Sequence, residues 1–270
     1  RRAGDGDLYH GNDQEDQAED DAHGAGEAEA RGPVAQDAVG IDNISRADAN
    51  RFKIPFTNTA DVLTEATAEF ALLILGCVAR KLYPSERIVR ENRWGAWHPF
   101  HPILGDEVTG KTIGVIGTGR IGQAFIKKAL AFDVNFLCFD PVMQVQDFVA
   151  KIAEELDLRF RHGFAPARRT IRYTSFEGVL TGSDFVSLHV PLLRPGEAET
   201  PTFHMINERT LRLMKPTAYL VNTSRGPVVD EQELAAALRA GVIAGAALDV
   251  FEREPLPADS PLRDPALEDR

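Results

Sequence analysis

From Val39 onward the chain alternates short apolar runs with segments whose apolar positions recur at helical spacing. KTIGVIG (111–117), VNFLCFD (134–140), DFVSLHVPL (184–192), AYLVNTS (218–224) and AGAALDV (244–250) are compact apolar runs and predict strands. Between them, IGQAFIKKALAF (121–132), SFEGVLTG (175–182), NERTLRLMK (207–215) and DEQELAAALRAG (230–241) predict helices. Strands joined by helical crossovers imply an α/β fold with a doubly wound parallel sheet. Residues 142–173 read as a helix followed by an arginine-rich surface loop, RFRHGFAPARRTIR (159–172), with no strand in it.

Upstream, RFKIPFTNT (51–59) predicts a short strand that leads into a helix starting near Ala60 to Thr64. That helix, TEATAEFALLILGCVARKL (64–82), is apolar on nearly every side, which predicts burial on several faces between domains or subunits. Its longest apolar run, FALLILGCVA (70–79), is about half the ~20 residues a bilayer span needs, so no membrane partner is expected. A connector rich in Trp, His and Pro, WGAWHPFHPILGDEV (94–108), follows.

Charge changes the picture at one end only. Residues 1–37 hold eleven Asp/Glu against three Arg, and so supply −8 of the formal net charge of −11. This acidic low-complexity segment has too few large apolar groups to offset its ordering entropy, and is expected to be disordered or foreign to the fold. With no basic stripe elsewhere, nucleic acid is not an expected partner. Cys77 and Cys138 lie in apolar runs at no ligand spacing, which predicts buried thiols in a reducing, cytoplasmic setting and no metal.

The sharpest local signal is GTGRIG. Gly117, Gly119 and Gly122 follow an apolar strand and open a helix, and Asp140 ends the next strand, 18 residues beyond Gly122. In that context Gly117 makes the tight turn, Gly119 admits a pyrophosphate, and Gly122 lets helix and strand approach. The helix N-terminus, with Arg120 and Ile121, offers free N–H groups to the diphosphate. Asp140 would accept from the ribose 2′-OH and repel a 2′-phosphate, and no basic residue follows it in DPVMQ (140–144). NAD is therefore the expected cofactor.

Together with this motif, VGIDNI (39–44), NTADVLTEATAE (58–69), SDFVSLHVPL (183–192), MINERTLRLMKPTAYLVNTSRGPVVDEQELAAAL (205–238) and AGAALDVFEREP (244–255) resemble the D-isomer-specific 2-hydroxyacid dehydrogenases. The resemblance covers about residues 38–265, and its blocks occur in the family's order. It implies a Rossmann-type NAD-binding domain over 59–265, a remnant of the flavodoxin-like substrate domain over 38–58, and the start of a return to that domain over 266–270. The implied activity is NAD-dependent hydride transfer between a 2-oxo acid and a D-2-hydroxy acid. The implied partners are that small acid and a second copy of the chain in a homodimer.

Residue by residue, Arg225 matches the arginine that grips the substrate carboxylate, and Glu254 matches the glutamate that partners a catalytic histidine. Thr64, Val190, Pro191, Thr223 and Asp249 match cofactor-lining positions, and Val39 and Gly40 match a loop whose N–H groups hold the substrate carboxylate. The family histidine lies some twenty residues beyond the glutamate, whereas the sequence ends at Arg270, sixteen residues after Glu254. A fragment without that histidine is the expectation, with a non-catalytic NAD(H)-binding module as the alternative. His189 reads as structural, and His98, His101, His162 and His204 have no acidic partner legible in the sequence.

Overall fold

The computed structural model describes residues 33–36, 40–41, 44–59, 61–96, 98–99, 103–142 and 144–270. Residues 1–32 and 37 of the acidic segment, Val39 and His101 lie outside the described residues. β1 (Val34–Ala35), α1 (Arg46–Arg51) and β2 (Phe56–Thr57) come first, and β1 pairs with β2 in parallel. This small sheet starts ahead of the boundary drawn at residue 38, because a two-residue strand leaves no alternation for sequence to register.

Then follow α2 (Thr64–Ala79), α3 (Leu82–Arg90), β3 (Thr112–Ile116), α4 (Arg120–Ala129), β4 (Asn135–Phe139), α5 (Gln146–Arg161), β5 (Ile171–Tyr173), α6 (Phe176–Gly182), β6 (Phe185–Leu188), α7 (Glu208–Leu211), β7 (Tyr219–Asn222), α8 (Glu231–Arg239) and β8 (Gly245–Leu248). Six strands form one sheet in the order β5-β4-β3-β6-β7-β8, parallel throughout. This is a doubly wound sheet whose order reverses between β3 and β6, and a ligand crevice forms outside the strand ends at such a point.

Strand residues alternate between two apolar layers. Ile113, Val115, Phe136 and Tyr219 face α2, α4 and α5, while Ile116, Leu137, Val186 and Leu220 face α6, α7 and α8. Both faces of the sheet are thus covered, which explains strands without a polar side.

Two readings change, at the arginine-rich stretch and at Cys77. The arginine-rich stretch is not all loop: 159–161 end α5, and Ile171–Tyr173 form the edge strand β5 on β4. Three residues with Arg172 in the middle are too short and too polar to read as a strand. α2 buries one face, Ala68, Ala71, Leu75 and Ala79, and leaves Phe70 43% and Leu73 57% accessible. Cys77 sits on that outer side and is exposed, whereas Cys138 is buried and its thiol pushed up to about 12 by burial. Leu267 packs in the core beside α8, and the Arg270 carbonyl accepts from the Ala246 amide.

Candidate active site

β3 runs into the glycine turn without a side chain to spare. Gly117 takes φ +95°, donates its N–H to the Phe139 carbonyl at 2.8 Å, and lies so close to β6 that a Cβ would meet the His189 carbonyl oxygen at 2.5 Å. A Cβ on Gly122 would lie 2.1 Å from the Gly117 oxygen, so α4 rests on the turn itself. Gly119 differs from both. A Cβ there would meet nothing within 4 Å, and α4 starts after it with no side-chain cap. Uncapped N–H groups beside open space are suited to an anion. Arg120, at the same helix start, pairs with Asp61 at 2.9 Å on the surface.

Asp140 closes β4 and is buried to 9% accessibility. Its Oδ2 accepts from the Thr118 amide at 2.7 Å and from the Thr118 hydroxyl at 3.3 Å, while Oδ1 accepts from the Val142 amide at 3.0 Å. The carboxylate therefore ties the glycine loop to the end of the neighbouring strand.

At the reversal point between β3 and β6 lies a cleft of about 820 Å³. Its walls carry Ile121 from α4, Val190 and Pro191 after β6, Thr223 and Arg225 after β7, Glu254 after β8, and Gly40 from the N-terminal segment. Arg225 and Glu254, twenty-nine residues apart in the chain, thus face one space. Seven other predicted positions do not line it: Gly117, Gly119, Arg120, Gly122 and Asp140 lie at the glycine turn and the end of β4, at the start of α2 the wall is Leu63 and Thr67 rather than Thr64, and after β8 it is Val250 rather than Asp249.

Local backbone packing brings the arginine and the glutamate together. A Cβ on Gly226 would lie 1.8 Å from the Phe251 carbonyl carbon, so the turn after Arg225 touches the loop that carries Glu254. The Asn222 side chain holds that turn, donating to the Arg225 carbonyl at 2.9 Å and accepting from the Ser224 amide at 3.0 Å. The Glu254 carboxylate accepts from the Phe251 amide at 3.0 Å. Glu231 and Glu252 clasp α8 to the same loop, each accepting from the other's amide, at 2.6 and 2.8 Å.

His204, set aside in the sequence for want of an acid, sits between two: Nδ1 lies 3.3 Å from Asp230 and Nε2 3.4 Å from Glu252. Asp230, Glu231, Glu252 and Glu254 make this end of the cleft strongly acidic. Glu231 is raised above the ordinary carboxylate range, by burial first and by repulsion from Glu252, Asp230 and Glu254, against the lowering effect of the Glu252 amide. Asp249 is also raised, by burial and then by Glu254. Such a field favours a cation, and would stabilise a protonated imidazole beside Glu254.

His189 is the opposite case. Nε2 meets the Ser187 hydroxyl at 3.0 Å, the ring lies 4.9 Å from that of Phe125, and Nδ1 is buried without a partner. Burial lowers its pKa to about 3, which keeps the imidazole neutral. Thr223, 6% accessible, buries a hydroxyl oxygen that also finds no partner. An orphaned hydroxyl in the cleft wall and the uncapped helix start at Gly119 fit the nicotinamide end and the central diphosphate of a dinucleotide. Among the described residues no cluster of three or more His, Cys, Asp or Glu could hold a metal, and no helix is long and apolar enough to cross a membrane.

Residues 72–267 match the family described as D-isomer specific 2-hydroxyacid dehydrogenase, NAD binding domain. The chain belongs to this family. Its relatives include a glyoxylate reductase of Korarchaeum cryptofilum, 46% identical over 85% of this chain and 62% of that protein. Among solved structures, a D-lactate dehydrogenase from Aquifex aeolicus complexed with NAD and lactic acid superposes with TM-score 0.68, at 32% identity over 82% of this chain and 58% of that one. An acyclic imino acid reductase in complex with NADPH superposes with TM-score 0.69, at 27% identity over 88% of this chain and 66% of that one. The chain spans about three-fifths of the length of the glyoxylate reductase it matches.

Proposed function

We propose that this chain is the cofactor half of an NAD-dependent D-2-hydroxyacid dehydrogenase that reduces a small 2-oxo acid, glyoxylate being the first to try. Bound NAD(H) would supply or accept the hydride. The diphosphate would lie on the N–H groups at Gly119, Arg120, Ile121 and Gly122, beside the turn at Gly117. The adenosine ribose would reach Asp140, and the nicotinamide end would meet Val190, Pro191 and the Thr223 hydroxyl, with Thr64 and Asp249 at its edge. Arg225 would grip the substrate carboxylate through paired N–H groups and polarise the carbonyl, assisted by N–H groups of the Val39–Gly40 loop. Glu254 would hold the imidazole that passes a proton to or from the carbonyl oxygen.

The observation that carries this reading is the convergence of Arg225, Glu254 and the unpartnered Thr223 hydroxyl on one cleft at the sheet's reversal point. The test is calorimetric titration of the NADH-loaded chain with oxamate, a 2-oxo-acid mimic. Wild type should bind it and Arg225→Gln should not; equal affinity in the two would remove Arg225 from the site.

The accessible apolar residues Phe70 and Leu73 on α2, with Leu82 and Tyr83 on α3, support a homodimer formed through these helices. Sedimentation should show a dimer that Leu73→Glu dissociates.

A further inference from the structure

The solved relatives of this fold include proteins bound to NAD and one bound to NADPH, so the family's architecture alone does not choose between them. In this chain the choice has a physical device. Asp140 is held by a one-way chain of hydrogen bonds that starts at the residue before α5 and runs through a different strand. The Val145 amide donates to the Tyr173 hydroxyl at 2.8 Å, and the Tyr173 and Thr118 hydroxyls lie 2.8 Å apart. A carboxylate has no proton to give, so the Thr118 hydroxyl must donate to Asp140; its oxygen then accepts the Tyr173 proton, and Tyr173 in turn accepts from Val145.

We propose that Tyr173 is a positioning residue for dinucleotide discrimination: through Thr118 it locks the Asp140 carboxylate in place, so that the carboxylate cannot turn aside to admit a 2′-phosphate. The inference rests on the proposed seating of NAD(H) with its ribose at Asp140. An unlocked aspartate could rotate outward and let water and ions screen a phosphate that carries nearly two negative charges. Here rotation would break bonds to Thr118 and Val142, and the segment 140–144, DPVMQ, supplies no cation to receive the phosphate. Tyr173 comes from β5, the edge strand, and packs against the core layer that contains α4.

The test titrates the 270-residue chain with NADH and with NADPH, following nucleotide fluorescence, for wild type, Tyr173→Phe, Thr118→Val, Thr118→Ser and Asp140→Asn. Wild type should favour NADH by about 100-fold or more, and Asp140→Asn should remove most of that preference. Tyr173→Phe and Thr118→Val should each lower the NADPH/NADH ratio of dissociation constants about 10-fold while NADH affinity changes by less than about 3-fold; Thr118→Ser, which keeps the hydroxyl, should restore the ratio. If both variants weaken the two nucleotides in proportion and the ratio holds, the lock is merely structural and the inference falls. Should Tyr173→Phe not fold, Thr118→Val decides. Failure of wild type to bind NADH, or a ratio unmoved by Asp140→Asn, overturns the seating of the cofactor itself and is thereby distinguishable from failure of the lock.

Discussion

Two glycines three residues apart should separate folding from binding. Gly122→Ala places a methyl 2.1 Å from the Gly117 carbonyl oxygen, whereas Cβ contacts under 3.0 Å essentially do not occur. The obstacle is backbone, so α4 must withdraw from β3 by about 1 Å and loosen Phe125 and Ile126, both fully buried. Overpacking of this kind costs about 1–3 kcal/mol, and a rigid obstacle argues for the upper end. For a domain of this size, ~3 kcal/mol lowers Tm by roughly 6–12 °C. Gly119→Ala meets no atom within 4 Å, and its backbone, φ −66° and ψ −167°, suits any residue. Its stability should therefore stay within about 0.5 kcal/mol of wild type. Yet the methyl would stand where the diphosphate approaches, and NADH affinity should fall at least ~10-fold. Thermal melts and NADH fluorescence titrations read the two effects separately. A Gly119→Ala chain that binds NADH as wild type does would refute the seating of the diphosphate on this turn, and a Gly122→Ala chain of unchanged Tm would refute the packing argument.

Other outcomes follow from burial and charge. His189 has an ordinary pKa of 6.5 that burial lowers to about 3, so the unfolded chain binds the extra proton first as pH falls. The stability that the neutral ring contributes is present above 6.5 and is lost below it, by roughly 2 kcal/mol at pH 5 as an upper estimate; His189→Gln should flatten that acid limb in denaturant melts. Glu231, raised by burial and by neighbouring carboxylates, behaves in the opposite sense: the fold favours its protonated form, and the associated stability is lost as pH rises past the carboxylate range. Glu231→Gln keeps an oxygen for the Glu252 amide and should raise Tm at pH 7 but not at pH 4. Tyr219 donates to Asp106 at 2.7 Å and stacks on Phe185 at 5.5 Å, and both burial and that carboxylate push its phenol up. Tyr219→Phe leaves the stack and deletes the bond to a charged group, for about 1.5–3 kcal/mol in a urea melt.

The parts of this molecule that could be read in one dimension are those whose physics is local. The glycine turn announces itself because each task, positive φ, open approach or close packing, demands the same residue at fixed spacing. The parallel sheet follows from apolar runs long enough to show that both faces are covered. Arg225 and Glu254 became meaningful only through resemblance, since nothing in their own segments says that they share a cleft. What stayed hidden depends on distant partners. His204 meets Asp230 and Glu252, which come from the start of α8 and the loop after β8. Tyr173 meets Thr118 across 55 residues, from a strand too short to be seen. Within the chain α2 buries one face only, and Cys77 lies on the other.

The most direct test of the account is a crystal structure of this chain grown with NADH. The account predicts the diphosphate on the N–H groups that open α4 above Gly119, a ribose hydroxyl on Asp140, and the nicotinamide end beside Thr223, with Arg225 left facing the space next to it. A nucleotide seated away from the glycine turn, or one whose nicotinamide points away from Thr223 and Arg225, would contradict it.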